Sequence, residues 1–303
     1  MPESRSRLPT LENETMSVSI DYGFGARVTS LHDKRSRREW LIQGGQSRST
    51  GEDAVYGADE AVGWDECFPT VSRCDASDTP WRRRLRDHGD LWGRPWEPDI
   101  SDGAVTTSFA DRNFSFSRRL SLSGDTLTAD YSVTNKGSEA LPYLWCQHCL
   151  LATGPGDSIS LPGIDRVAAA YVTSIGAVHR IDSLAWPDHG LDLSVPRLDR
   201  VSGPEARFAG KFYAPVAGDF RALIGNADGR LEIGWAASEL AHVGIWLDYG
   251  AWPGNGVFAH QIAIEPTTAA ADHLAGAIAG GQAIELAPGE CRQWRVTFRV
   301  TGS

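Results

Sequence analysis

The chain has no run approaching the roughly 18 apolar residues that a membrane-crossing helix needs, so no transmembrane span is expected. Positive charge is also scarce: 29 Lys and Arg face 39 Asp and Glu, a net charge of -10. A nucleic-acid backbone or an anionic bilayer surface requires a basic footprint, so neither is an expected partner. Only five cysteines occur, Cys67, Cys74, Cys146, Cys149 and Cys291. That odd number in a large chain fits reduced thiols in the cytosol better than a disulfide framework. The opening MPESRSRLPTLENETMSVSI lacks the apolar centre of a secretory signal. Residues 1–10 read as a flexible tail, and the expected location is the cytoplasm.

Helical periodicity is nearly absent as well. One alanine-rich stretch, residues 269–279, ends at Gly280-Gly281 and reads as a short helix. The rest is dominated by short alternating segments. Residues 16–22 and 26–31 flank Gly23 and Gly25 as a hairpin, and residues 114–122 and 126–133 flank Gly124-Asp125 as another. Further strands are expected at 141–151, 208–213, 221–224, 230–235, 243–249, 257–264 and 294–300. No βαβ alternation, internal repeat or domain boundary is visible, so the fold class is all-β in a single domain over residues 1–303. Hydrophobic residues make up 41% of the chain, enough for a sizeable core.

Residues 43–102 carry no strand pattern but are rich in Gly, Asp, Arg and Trp. A loop of that length is uncommon unless it is functional or disordered, and its aromatics favour a structured, site-forming excursion. It holds GWDECFP (63–69) and DHGDLWGRPWE (87–97). These offer Asp65, Glu66, His88, Arg94, Trp92 and Trp96 as candidates; an indole face stacks well on the C–H face of a sugar ring. Plain structural roles are the alternative: core packing for the tryptophans, turn caps for the carboxylates. On a strand through LWCQHCLLA (144–152), His148 shares a face with Cys146, while Gln147 and Cys149 face the other way. The two thiols therefore diverge, which argues against zinc. In IAIEPTT (262–268), Glu265 ends an apolar strand, where an unpaired buried carboxylate is costly.

Taken together, GARVTSLHDKRSRREWL, His88-Gly89 with Arg94 and Trp96, VTNKGSEALPYLWCQH and IAIEPTT resemble the galactose mutarotase-like superfamily, the aldose 1-epimerases and hexose-6-phosphate mutarotases. The resemblance runs from about Leu11 to Val300 and keeps the order His, His, Glu. It implies a large antiparallel β-sandwich with one or two short helices and a sugar lying across one concave face. It departs from the family at Gln147, where Asn is usual, and after His148, where an aromatic is usual. The sugar-contacting Asp has no clear counterpart; Asp219 and Asp248 are candidates, and Lys211 is a third occupant of that place.

The resemblance implies a cofactor-independent, metal-free isomerase that interconverts the α and β anomers of a small-molecule carbohydrate, as a monomer or homodimer. Glu265 would be the base at O1, His148 the acid at O5, and His88 a partner of the ring oxygen or a nearby hydroxyl. Arg94 would orient hydroxyls, and Trp92 and Trp96 would form a stacking wall. Three alternatives stay open. Arg82, Arg83, Arg84 and Arg86 suit a sugar phosphate or an acidic sugar. A non-catalytic carbohydrate-binding protein is the second. Glycoside cleavage, with Asp65 or Glu66 opposite Glu265, is the third.

Overall fold

The computed structural model describes residues 9–44, 56–57, 61–101, 103–254 and 257–302. Two large sheets carry the chain, with every ladder within them antiparallel. The first has 12 strands. Its centre runs in the spatial order Arg27–Asp33, Trp64–Cys67, Cys146–Leu151, Val257–Thr267, His242–Gly254, Phe208–Pro215 and Arg166–Ser174. The second has eight strands, centred on Arg230–Ala236, Cys291–Thr301, Thr126–Asn135 and Phe114–Ser123.

The alternating segments read from the sequence are mostly these strands. Thr126–Asn135 buries every second residue, as a half-buried strand should. The inner faces share one apolar core, in which Trp64 of the first sheet meets Phe298 of the second with ring centroids 4.7 Å apart. This is the all-β sandwich expected.

Several boundaries differ from expectation. The stretch 141–151 is two strands. Leu141–Tyr143 pairs with Ile284–Leu286 in a ladder of its own, and Cys146–Leu151 enters the first sheet. The helix is confined to Leu274–Ala279, because residues 268–272 are held by tertiary bonds. Thr268 N–H donates to Trp145 O, Ala270 N–H to Gln282 Oε1, and the Asp272 carboxylate accepts from Tyr213. A 3-10 turn at Pro204–Ala206 is the other helical element among the described residues. Within residues 43–102, Trp64–Cys67 is a central strand. All four of its residues are buried, so no alternation marks it. Residues 1–8 of the expected tail lie outside the described residues, and Thr10 already belongs to the strand Thr10–Glu12.

Candidate active site

Three strands of the first sheet present His148, Glu265 and Lys211 on one face, with His242–Gly254 running between the last two. His148 lies on Cys146–Leu151, Glu265 on Val257–Thr267 and Lys211 on Phe208–Pro215. Side chains alternate along a strand, so Gln147 points the other way, into the inter-sheet core, where its amide donates to Tyr131 Oη at 2.7 Å. Gly244 is the cross-strand partner of Glu265. A Cβ there would sit 2.6 Å from Glu265 Oε2, so this glycine provides room for the carboxylate.

His88 reaches the same place from the long excursion. Its backbone has φ 59° and is followed by Gly89 at φ 71°, a left-handed pair that turns the chain sharply. A Cβ at Gly89 would lie 2.1 Å from Phe68 O, so only glycine fits. His88 N–H donates to Val71 O and Asp90 N–H to Phe68 O, which ties the turn to the end of the Trp64–Cys67 strand. His88 Nδ1 lies 3.3 Å from Asp87 Oδ2.

His88, His148 and Lys211 border a cavity of about 420 Å³. His88, His148, Lys211 and Gln261 supply polar groups, and Tyr56, Tyr171, Trp246 and Trp252 supply aromatic walls. Asp87 and Asp272 add two carboxylates. Glu265 is fully buried behind His148 and Lys211. Its Oε2 accepts from Lys211 Nζ. Among the described residues its Oε1 has no hydrogen-bond partner, and it lies 3.8 Å from His148 Nε2. Burial opposes the charge on Lys211, but the adjacent Glu265 outweighs it and holds the ammonium above the ordinary lysine range. Burial, and then the charges of His88, Lys211 and Arg27, hold the His148 imidazolium well below the ordinary histidine range.

The remaining sequence candidates do not line this cavity. Asp65 is tied to Arg27, with Nη2–Oδ2 at 2.7 Å. Glu66 faces the opposite side of the strand and is paired with Arg118 at 2.9 Å in the core. The expected stacking wall of Trp92 and Trp96 is interior: their indole N–H groups donate to Asp87 O and Leu91 O, and both rings are buried. Arg94 lies over the Phe109 ring and 3.9 Å from Asp90. Asp248 is buried and accepts from Ala251 and Trp252 N–H, shaping the turn that carries Trp252. Burial pushes its carboxyl up to about 7, against the pull of those N–H groups. Asp219 is an exposed residue of the second sheet.

Conversely, the sequence reading missed Tyr56, Trp246, Gln261 and Asp272. Gln261 had a signal, since it is polar in an apolar strand and four residues from Glu265, hence on the same face. Tyr56 sits in unpatterned sequence and had none.

No protein-family model matches the chain, and no curated protein does. Solved structures do. Slr1438 of Synechocystis sp. PCC 6803 superposes with TM-score 0.67 at 17% identity, over 99% of this chain and 97% of its own. A galactose mutarotase related enzyme of Lactobacillus acidophilus gives 0.66 at 16%, over 97% of each chain. Galactose 1-epimerase of Lactobacillus acidophilus NCFM gives 0.55 at 13%, over 97% of this chain and 94% of its own. At such identities the likeness is one of architecture, and it extends over nearly the whole length: the chain has the galactose mutarotase-like fold.

Proposed function

We propose that the protein is an aldose 1-epimerase acting on a sugar held in the cavity beside His148. The observation that carries this reading is Glu265 Oε1, without a partner among the described residues and buried 3.8 Å from His148 Nε2. That separation is too long for a good hydrogen bond, but it suits two sugar oxygens bonded to the same carbon, O1 meeting Oε1 and O5 meeting Nε2. A buried polar atom without a partner calls for an explanation, and a sugar hydroxyl supplies one.

Mutarotation needs only proton transfers. Glu265 Oε1 takes the O1 proton while His148 Nε2, which takes up a proton from solvent before the step, gives it to O5. The C1–O5 electron pair leaves with O5 and C1 becomes an aldehyde carbon. After rotation about C1–C2, Nε2 takes the proton back from O5, Glu265 returns its proton to O1, and the ring closes on the other face. The pair holds one proton before and after. Lys211 fixes the carboxylate through Oε2. His88 meets the ring oxygen or a neighbouring hydroxyl, and Trp246 with Trp252 offers the stacking faces.

A neutral sugar fits the cavity better than a sugar phosphate. The arginines approaching His88 have other engagements: Arg82 with Glu139, Arg83 with Asp90, and Arg86 with Gly89 O and Trp92 O. None of them borders the cavity, whereas Asp87 and Asp272 do. Two-dimensional NMR exchange spectroscopy on reducing hexoses tests both points. Exchange between anomers is expected to exceed the buffer rate for neutral hexoses and to be weaker for their 6-phosphates. Saturable binding with no acceleration for any sugar would reduce the protein to a binding module.

A second expected result concerns Gly244. Gly244→Ala places a methyl group against Glu265 Oε2 and displaces the carboxylate. A misplacement of about 1 Å lowers a rate by roughly 10²-fold. Exchange rates measured on a variant with unchanged circular dichroism check this. Undiminished exchange would mean that the position of the carboxylate is not critical.

A further inference from the structure

Tyr56 packs against both histidines, whose own rings meet edge-on with centroids 4.8 Å apart. Its ring stacks on His88, with centroids 3.7 Å apart and an interplanar angle of 8°. It meets His148 edge-on at 5.3 Å. Its hydroxyl lies 3.2 Å from His148 Nδ1 and 3.4 Å from Asp65 Oδ2. Asp65 in turn has both oxygens on the Arg27 guanidinium, with Nε at 3.0 and 3.1 Å and Nη2 at 2.7 Å.

A hydrogen bond from the phenol to Asp65 selects one arrangement of protons. An ion-paired carboxylate only accepts, so the phenol proton lies toward Asp65. The phenol oxygen is then an acceptor toward His148, and Nδ1 must carry the hydrogen. Neutral imidazole has a single N–H, so Nε2 is bare, and it faces Glu265 Oε1. Burial and the surrounding cationic charge keep His148 neutral at neutral pH, so this tautomer is the resting one.

We infer that Tyr56 is a positioning residue: held by the Arg27–Asp65 pair, its hydroxyl locks His148 as the Nδ1–H tautomer and makes Nε2 the atom that exchanges protons with the substrate. The consequence for catalysis rests on the function proposed above. Ring closure requires Nε2 to take the proton back from O5. With the second hydrogen held on Nδ1, donation from Nε2 leaves a neutral imidazole with a lone pair ready for that proton; with Nδ1 bare the same donation would leave an imidazolate.

The test is a two-bond ¹H–¹⁵N correlation spectrum of the full chain labelled with ¹⁵N-histidine, recorded without sugar. His148 is assigned by the signal missing in His148→Asn. The expected result is a protonated Nδ1 and a bare Nε2 in the wild type. In Tyr56→Phe, which keeps the ring on His88, the His148 signals shift toward the Nε2–H form. Anomer exchange in that variant falls roughly tenfold, the worth of about one hydrogen bond, through kcat and with KM unchanged. A wild-type His148 with its proton on Nε2, or a tautomer unmoved by Tyr56→Phe, overturns the inference. Should Tyr56→Phe fail to fold, the wild-type spectrum alone still decides. A locked tautomer in a protein that accelerates no anomer exchange would uphold the lock and overturn the proposed function instead.

Discussion

Glu265→Gln is expected to lower anomer exchange by about 10²–10⁴-fold, the range that a positioned acid or base contributes. The same substitution is expected to destabilise the protein, since Lys211 is buried against Glu265 and loses its counter-charge. Removing one partner of a buried pair costs about 3–5 kcal/mol, because the other charge is left uncompensated. Loss of activity in the single variant is therefore ambiguous by itself. The pair Glu265→Gln and Lys211→Met separates the two effects, since an uncharged side chain of similar length replaces the stranded ammonium. Urea denaturation should show most of the lost stability restored in the double variant, while exchange stays at the level of Glu265→Gln. Recovery of exchange together with stability would mean that Glu265 acts only by neutralising Lys211, and the assignment of a base would fail.

How much of this site was legible beforehand follows from how each residue is held. His148 and Glu265 lie on strands, where alternation tells which neighbours share a face, and the cavity side was readable from that alone. His88 stood out as a histidine flanked by glycine in a structured excursion. Trp92, Trp96 and Glu66 misled for one common reason. Their sequence surroundings are polar, but their polar atoms find partners inside the protein: backbone carbonyls for the indoles, Arg118 for the carboxylate. Composition reports that a residue has a polar group, not which buried partner satisfies it. Tyr56 and Asp272 reach the cavity through contacts distant in sequence, with Asp65, His148 and Tyr213, and no local pattern encodes those. The strand Trp64–Cys67 was hidden because both of its faces are buried, one by the core and one by the site.

The arginine that holds Glu66 carries the other large effect. Arg118 is wholly buried between the sheets, with Nη1 at 2.9 Å from Glu66 Oε1 and its guanidinium 5.2 Å from the centre of the Trp64 ring. Trp64, Trp145 and Tyr131 also donate to the Glu66 carboxylate, and Gln147 links Tyr131 back to the His148 strand. Arg118→Met leaves that carboxylate buried without a cation, and a loss of about 3–5 kcal/mol is expected. The loss should depend on pH. Burial pushes Glu66 from its ordinary 4.5 to about 7, outweighing the pull of Arg118 and the donors. Between those values the folded protein binds a proton that the unfolded chain does not, so this residue's contribution to stability rises as pH falls through the window. Removing Arg118 raises the folded value further and widens the window upward. Arg118→Met should therefore be most destabilised at pH 8, with the gap to wild type narrowing toward pH 5, as read from urea midpoints followed by tryptophan fluorescence. Adding Glu66→Gln should flatten that dependence. A deficit in Arg118→Met that stays constant across the pH range would show that packing of the arginine stem, rather than its charge, stabilises this part of the core.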